Sequence, residues 1–444
     1  MSVHAEHDLL TAALLDGSLT QDVPPERETP IGRALSAASD WLSSEQLTPD
    51  IWKYGLDSAP TYEVHLKDAA GTLCSRSSGK GLGHRSMASA LFESAEHYHL
   101  DWRRDPLADE AAFVPGREVA GQSTAAGSAL LHRLGGILGD SPVLTREYRP
   151  VAEALGATGG AAPPHRHPVF LRDGGYRNWP HPSDDGSFKP LWHYTTSAGY
   201  AAGTTLHEAL VHAVNELIER DAWSYQLARS YFGLPDESGR ALRVIDHESL
   251  PAELRALVDD VEASSGSPIL IVSIPCDTGV PAYVVCDAES DEDVRLIGSG
   301  ASPVQAYALQ RGLLEYLQVC TMYQHGPVDA EREAAQIATA LARYPRHLAA
   351  AGFDVRQLPH ERQPFDSDGL PAAATPEELL RHLIDRLQGV GVDLHFRVLT
   401  RPGTITVVDV VAPGLEMLDK ARAGYPVLPT GRLGERLRPQ RREP

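Results

Sequence analysis

Three stretches of this chain carry glutamates at helical spacing, and each follows a close set of glycines. Gly79-Lys-Gly-Leu-Gly83 precedes Glu93-Ser-Ala-Glu96, Gly199-Tyr-Ala-Ala-Gly203 precedes Glu216-Leu-Ile-Glu219, and Gly298-Ser-Gly300 precedes Glu315-Tyr-Leu-Gln318. A helix advances about 100° per residue, so Ser89, Glu93 and Glu96 share a face within about 60°. Glu208, Glu216 and Glu219 lie within about 80° of one another, with His212 and Asn215 on the same side. Arg311, Glu315 and Gln318 repeat the first spacing. Such repetition predicts units of similar structure, strand then glycine turn then helix, around a common centre in a mixed α/β fold.

A solvated acidic face mixes lysines among its glutamates. The second of these helices has none, and its strong cation, Arg220, lies off the stripe. An ordinary acidic surface accounts for one such helix, but poorly for three. Carboxylates pressed together repel unless a cation sits among them. Mg²⁺ is a hard cation that takes carboxylate and phosphate oxygen. Glu93, Glu96, Glu208, Glu216, Glu219 and Glu315 are more ligands than one Mg²⁺ needs. Two or more ions holding a polyphosphate fit better, with Arg220, Arg311 and Lys80 left to meet phosphate oxygens.

Composition excludes several classes. The 444 residues carry a net charge of -20, which argues against a nucleic-acid surface. No apolar run approaches the roughly 18 residues of a membrane span. The start Met1-Ser-Val-His lacks a signal peptide's basic and apolar parts, so a cytoplasmic location is expected. Cys74, Cys276, Cys286 and Cys320 form no CxxC pair and are expected as free thiols.

Along the chain, residues 1–55 are expected as a helical extension, with helices at Leu9 to Leu15 and Gly32 to Leu47. Residues 56–425 form the main domain, in which 104–187 are expected as a partly irregular insertion rich in Gly, Pro and His, with a short helix near Thr124 to Leu138. Ser267 to Pro275 and Pro281 to Asp287 are expected as adjacent strands, Pro376 to Leu387 as a helix and Thr404 to Val411 as a strand. Residues 426–444 are a basic tail, expected to be extended from Gly431 onward.

Familiar motifs fail on inspection. Ser-Gly-Lys80-Gly is no P-loop, because Cys74 stands where a glycine is needed and Gly81 where Ser or Thr should follow the lysine. His207 and His212 are five apart, about 140° around a helix, and cannot share a metal. His165 and His167 sit in the Pro-rich stretch and are not expected to bind one.

The glutamate pattern, with Glu219-Arg-Asp-Ala222, Ala-Gly-Thr-Thr-Leu-His-Glu-Ala-Leu before the second helix, Gly279-Val-Pro-Ala-Tyr283 and Val411-Ala-Pro-Gly-Leu-Glu416, resembles the YcaO family over roughly residues 60–420. The resemblance implies a non-P-loop fold that binds ATP and several Mg²⁺ ions between glutamate-bearing helices. It implies phosphorylation of a backbone amide oxygen in a precursor peptide after a nucleophile has added to the amide carbon, and loss of phosphate to give an azoline, a thioamide or an amidine. By position, Ser89, Glu93, Thr204, Glu208, Arg220, Arg311 and Glu315 belong to the nucleotide, and Glu93, Glu96, Glu208, Glu216, Glu219 and Glu315 to the metals. Arg220 and Lys80 are the expected catalytic cations. Thr204 stands where many members have Asn, and Arg311 where some have Gln. Many azoline-forming members end in a Pro-x-Pro-x-Pro repeat, whereas this chain ends Arg-Arg-Glu-Pro444. Cyclodehydration of Cys, Ser or Thr is the leading expectation, with thioamide or amidine formation as the alternative and a non-catalytic nucleotide-binding scaffold as the reading of another class. A separate leader-binding or sulfur-delivery protein is an expected partner, and a homodimer is common in similar proteins.

Overall fold

The computed structural model describes residues 9–437, apart from 105–109, 158–161, 235–239, 291, 293, 326–328 and 367–368. In chain order, helices α1 (Leu9–Leu14) and α2 (Ile31–Ser44) lead to strands β1 (Thr48–Gly55), β2 (Pro60–Lys67) and β3 (Leu73–Gly79) and helix α3 (Arg85–Tyr98). Then come β4 (Ala112–Pro115), α4 (Gly116–Ala120), α5 (Ala129–Leu138), β5 (Pro142–Pro150), β6 (His165–Pro168), β7 (Tyr200–Gly203) and α6 (Leu206–Leu227). The chain continues through β8 (Leu242–Ile245), α7 (Ala252–Ser265), β9 (Ile269–Ser273), β10 (Ala282–Asp287), β11 (Ile297–Ala301), α8 (Gln305–His325), α9 (Ala330–Leu341) and α10 (Pro345–Gly352). It closes with β12 (His360–Gln363), α11 (Pro376–Gln388), β13 (His395–Val398), β14 (Thr406–Val411) and α12 (Leu433–Arg436).

The strands form three sheets, ordered β1-β2-β3, β11-β10-β9-β8-β12 and β4-β5-β13-β14-β7, with β6 pairing β5 in the last. No described helix is long and apolar enough to cross a membrane. The four cysteines are free, two of them buried and two half-buried.

Each glutamate-bearing helix follows a strand from a different sheet: α3 follows β3, α6 follows β7, and α8 follows β11. The glycines have another job than the turn expected of them. Gly203, Gly298 and Gly300 lie in strands rather than between elements, and Gly79 ends one. Their value is the missing side chain. A Cβ on Gly79 would stand 2.1 Å from the Ala90 nitrogen, and one on Gly298 2.1 Å from the Tyr316 nitrogen. Strand and helix backbones are therefore in direct contact, which holds the helix faces at fixed positions beside the sheets.

Several expectations change in three dimensions. Within residues 104–187, expected as a partly irregular insertion, β5 pairs β4, β6 and β13 and so joins a sheet of the main domain. Val143, Thr145 and Tyr148 of β5 are buried while Glu147 and Arg149 are exposed. Val143 and Thr145 share a face with exposed Glu147 and Arg149, and the opposite face carries buried Arg146, so no clean period-two pattern marks this strand in the sequence. Strand β1 pairs β2 along its whole length, from Thr48↔Lys67 to Gly55↔Pro60, so one sheet spans the boundary expected at residue 55. Leu433 is buried and opens a helical turn where an extended tail was expected; residues 438–444 lie outside the described residues. The buried Glu416 carboxylate causes this by accepting the backbone N–H groups of Thr430, Gly431 and Leu433.

Gly298→Ala tests the direct strand–helix contact. Overpacking at such a site costs about 1–3 kcal/mol or more, so urea unfolding should show a clearly lowered midpoint. An unchanged midpoint would mean that β11 and α8 can separate freely.

Candidate active site

Helices α3, α6 and α8 converge on one cavity of about 670 Å³. Its wall includes Ser89, Glu93 and Glu96 of α3, Glu208, Glu216, Glu219 and Arg220 of α6, and Arg311 and Glu315 of α8, together with Lys80 and Thr204. Every residue assigned from the sequence to nucleotide, metal or catalysis therefore lines the same space. Arg220 does so although it lies off the stripe by angle, because its long side chain turns back to stand 3.6 Å from Glu219.

The carboxylates differ in what already satisfies them. Glu96 accepts the Ala202 N–H at 2.7 Å, Glu216 accepts the Gly199 N–H at 3.1 Å, and Glu219 accepts the Ser299 hydroxyl at 2.6 Å. Each bond engages one oxygen. Glu93 has His97 at 3.9 Å. Lys80 is ion-paired with Glu315. Desolvation pushes the Glu93 carboxyl from its ordinary 4.5 up to about 7, against the pull of His97 and Lys80. Desolvation, with the Glu93 charge behind it, holds Glu96 well above the ordinary range, and desolvation also raises Glu216. Burial works the same way on Glu315, but Lys80 and Arg220 overcome it and keep that carboxyl low. Desolvation and the nearby Arg311 hold His212 well below its usual range, and neutral His212 takes an N–H from Arg311 at 3.1 Å.

Glu208, expected from the sequence to bind metal, meets protein donors on both oxygens. One of its oxygens accepts the N–H groups of Glu28 at 2.8 Å and Thr29 at 3.1 Å. The other accepts the Thr204 N–H at 2.9 Å and hydroxyl at 2.6 Å. Four donors leave it little to offer an ion. It is an anchor for the segment before α2, and Thr204, hydrogen-bonded to Glu208 and Thr29, shares that task.

That N-terminal segment was missed in the sequence. Pro24, Arg27 and Thr29 line the cavity. Buried Glu26 has φ of 63°, in the left-handed region, and is held there by Asn215 and Ser302. A single glutamate beside two prolines carries no helical period and no motif, so only the fold reveals it. Phe92, Ile31 and Ala34 give the cavity an apolar wall.

The donor set fits divalent metal. Glu93, Glu96, Glu216 and Glu219 crowd hard oxygens together, several not claimed by protein donors, and the raised proton affinities of Glu93, Glu96 and Glu216 are those of carboxylates short of a cation. Cations and an apolar wall in the same cavity suit a nucleotide. The fold and site thus define an α/β protein built to hold a nucleotide with divalent metal. Residues 176–416, more than half the chain, match the family model of the ATP- and Mg²⁺-binding YcaO cyclodehydratases. The chain belongs to the YcaO family, and ATP and Mg²⁺ are its cofactors.

Comparison with individual proteins agrees on the fold. The chain is 25% identical over 233 residues to an uncharacterized protein in the tfuA 3′ region of Rhizobium leguminosarum bv. trifolii, covering 50% of this chain and 53% of that protein. It thus spans about half the length of the curated relative it matches. YcaO from Methanopyrus kandleri, solved with AMPPCP and Mg²⁺, superposes with a TM-score of 0.62 at 19% identity, covering 93% of this chain and 99% of that one. A heterocyclase in complex with substrate and cofactor gives 0.61 at 18% identity, covering 91% and 55%. The E. coli microcin synthetase McbBCD complex gives 0.56 at 14%, covering 83% and 88%.

Two outcomes check the site's physics. Glu93, Glu96 and Glu216 hold protons in the folded chain that unfolded glutamates lose near 4.5. Their stabilising effect is full below that pH and is lost as pH rises through about 7, the value for Glu93. Thermal unfolding in EDTA should therefore show stability falling from pH 5 to pH 8, and Mg²⁺ should flatten the fall; a flat profile in EDTA would contradict the crowding. Glu208→Ala removes four hydrogen bonds to a carboxylate, each worth about 1.5–3 kcal/mol. It should speed trypsin cleavage after Arg27, on the order of 10-fold or more for each 1.4 kcal/mol lost, and an unchanged rate would dismiss the anchoring role.

Proposed function

We propose that this chain is an ATP-dependent peptide-modifying enzyme that phosphorylates a backbone amide oxygen in a ribosomally made precursor peptide. The carrying observation is that five open or half-open carboxylates and three cations, spaced far apart in sequence, meet on one cavity. Glu93, Glu96, Glu216, Glu219 and Glu315 are assigned to the ions, and Arg220, Lys80 and Arg311 to phosphate oxygens. Ser89 stands one helical turn before Glu93 and is assigned to the nucleotide. The apolar wall at Ile31, Ala34 and Phe92 is assigned to the base. Bound there, ATP supplies a transferable phosphoryl group and Mg²⁺ neutralises its charge. An amide oxygen is a poor leaving group until it is phosphorylated, which gives such a site its use.

The product assigned first is an azoline, from Cys, Ser or Thr. A thioamide or amidine is the second reading. One structural neighbour was solved with its substrate and another as a complex of several proteins. For this chain we assign a precursor peptide and a separate leader-binding or sulfur-delivery protein as partners.

Calorimetry with ATP, in the presence and absence of Mg²⁺, tests the core of this proposal. Tight binding is expected only with Mg²⁺. Glu219→Gln should fold normally and weaken that binding on the order of 10-fold or more, as loss of groups in a metal's shell does. Equal affinity in the variant would remove Glu219 from the metal set, and no ATP binding by the unaltered protein would leave a scaffold.

A further inference from the structure

A second cavity, of about 390 Å³, shares a wall with the first. Glu216, Arg220 and Glu315 face both spaces. The carboxylate cluster therefore has two sides, with the apolar wall assigned to the base lining only the larger cavity. The smaller one is lined by Ile297 and Ser299 of β11, Trp223 of α6, Ala334 and Ile337 of α9, and Lys420. Strand β11 is the edge of its sheet, and an extended chain can lie along such a strand. Trp223, Ile297 and Ile337 offer apolar surface for side chains.

Lys420 sits in a helical turn, Leu418–Ala423, that is tied to α6. The Asp419 N–H donates to the Ser224 hydroxyl at 3.1 Å, which in turn donates to the Arg220 carbonyl at 2.8 Å. The Lys420 ammonium donates to the Thr195 carbonyl at 2.5 Å and lies 4.9 Å from the Tyr425 ring. An amine already bonded to one backbone carbonyl, on the wall of a cavity, has the chemistry to hold a second. We propose that this second cavity receives the acceptor, an extended peptide segment whose backbone amide is presented to the carboxylate cluster from the side opposite the nucleotide, with Lys420 hydrogen-bonding a carbonyl of that segment. This rests on the function proposed above and adds where the second substrate enters.

The test uses the full chain with Ala334→Cys, which puts a thiol on the cavity wall, and the capped peptide N-acetyl-Gly-Ser-Gly amide as probe. Maleimide labelling is followed site by site by mass spectrometry, with Cys74 and Cys276, outside the cavity wall, as internal controls. With Mg²⁺ and AMPPCP present, millimolar peptide should slow labelling at position 334 by at least ~3-fold, the protection given by occupancy at twice the dissociation constant, and leave both controls unchanged. Adding Lys420→Met should abolish that protection while AMPPCP affinity stays the same. Labelling at 334 unaffected by peptide up to tens of millimolar, or slowed as much by AMPPCP alone, would overturn the assignment. AMPPCP affinity measured separately by calorimetry keeps the two proposals apart. Binding without peptide protection defeats only the acceptor site, whereas failure to bind defeats the nucleotide reading and this inference with it.

Discussion

Carboxylates gathered in one cavity repel one another, and the fold must pay for that repulsion with rigidity elsewhere. Here three helices from three different sheets are pressed onto their strands through glycines that leave no room for a Cβ. Because strand and helix backbones touch, a helix cannot roll away to relieve its glutamates. The charge is then relieved locally, by Lys80 on Glu315, by single N–H or hydroxyl donors on Glu96, Glu216 and Glu219, and by retained protons. Each of these is weaker than a divalent ion, the partner proposed for these carboxylates.

Two of the selected residues also tie the cavity wall to the segment before α2. Glu208 and Thr204 look equivalent to the other polar residues of their helix start, yet both are consumed in fastening the segment before α2 across the cavity. That segment also places Glu26 in a strained backbone conformation, which persists only where the surroundings over-determine it. The nucleotide cavity is thus closed partly by residues some 180 positions away from the glutamate that holds them. The C-terminal end is fastened by the same device, with Glu416 gripping three backbone N–H groups of the tail.

What was legible in the sequence was periodic or repeated. Helical spacing alone placed Glu93 with Glu96, and Glu216 with Glu219, on common faces, because a helix fixes those angles without tertiary help. The β9–β10 pair was equally plain as two apolar runs about a turn, and α11 as an amphipathic period behind a Thr375 cap. Strand β5 was not, because charged side chains fall on both of its faces and its partner β13 lies some 245 residues later. Local pattern carries no information about a partner at that distance.

By itself, then, the sequence determined that three acidic faces exist, that they are rich in oxygen ligands, and that they lie in a mixed α/β chain of the YcaO kind. Only the tertiary structure decided that these faces meet on one cavity, which carboxylates keep a free oxygen, and that Glu208 does not. Spacing sets the direction of a side chain relative to its own helix. The hydrogen bonds that saturate or spare it come from other elements, and their positions depend on how the sheets pack.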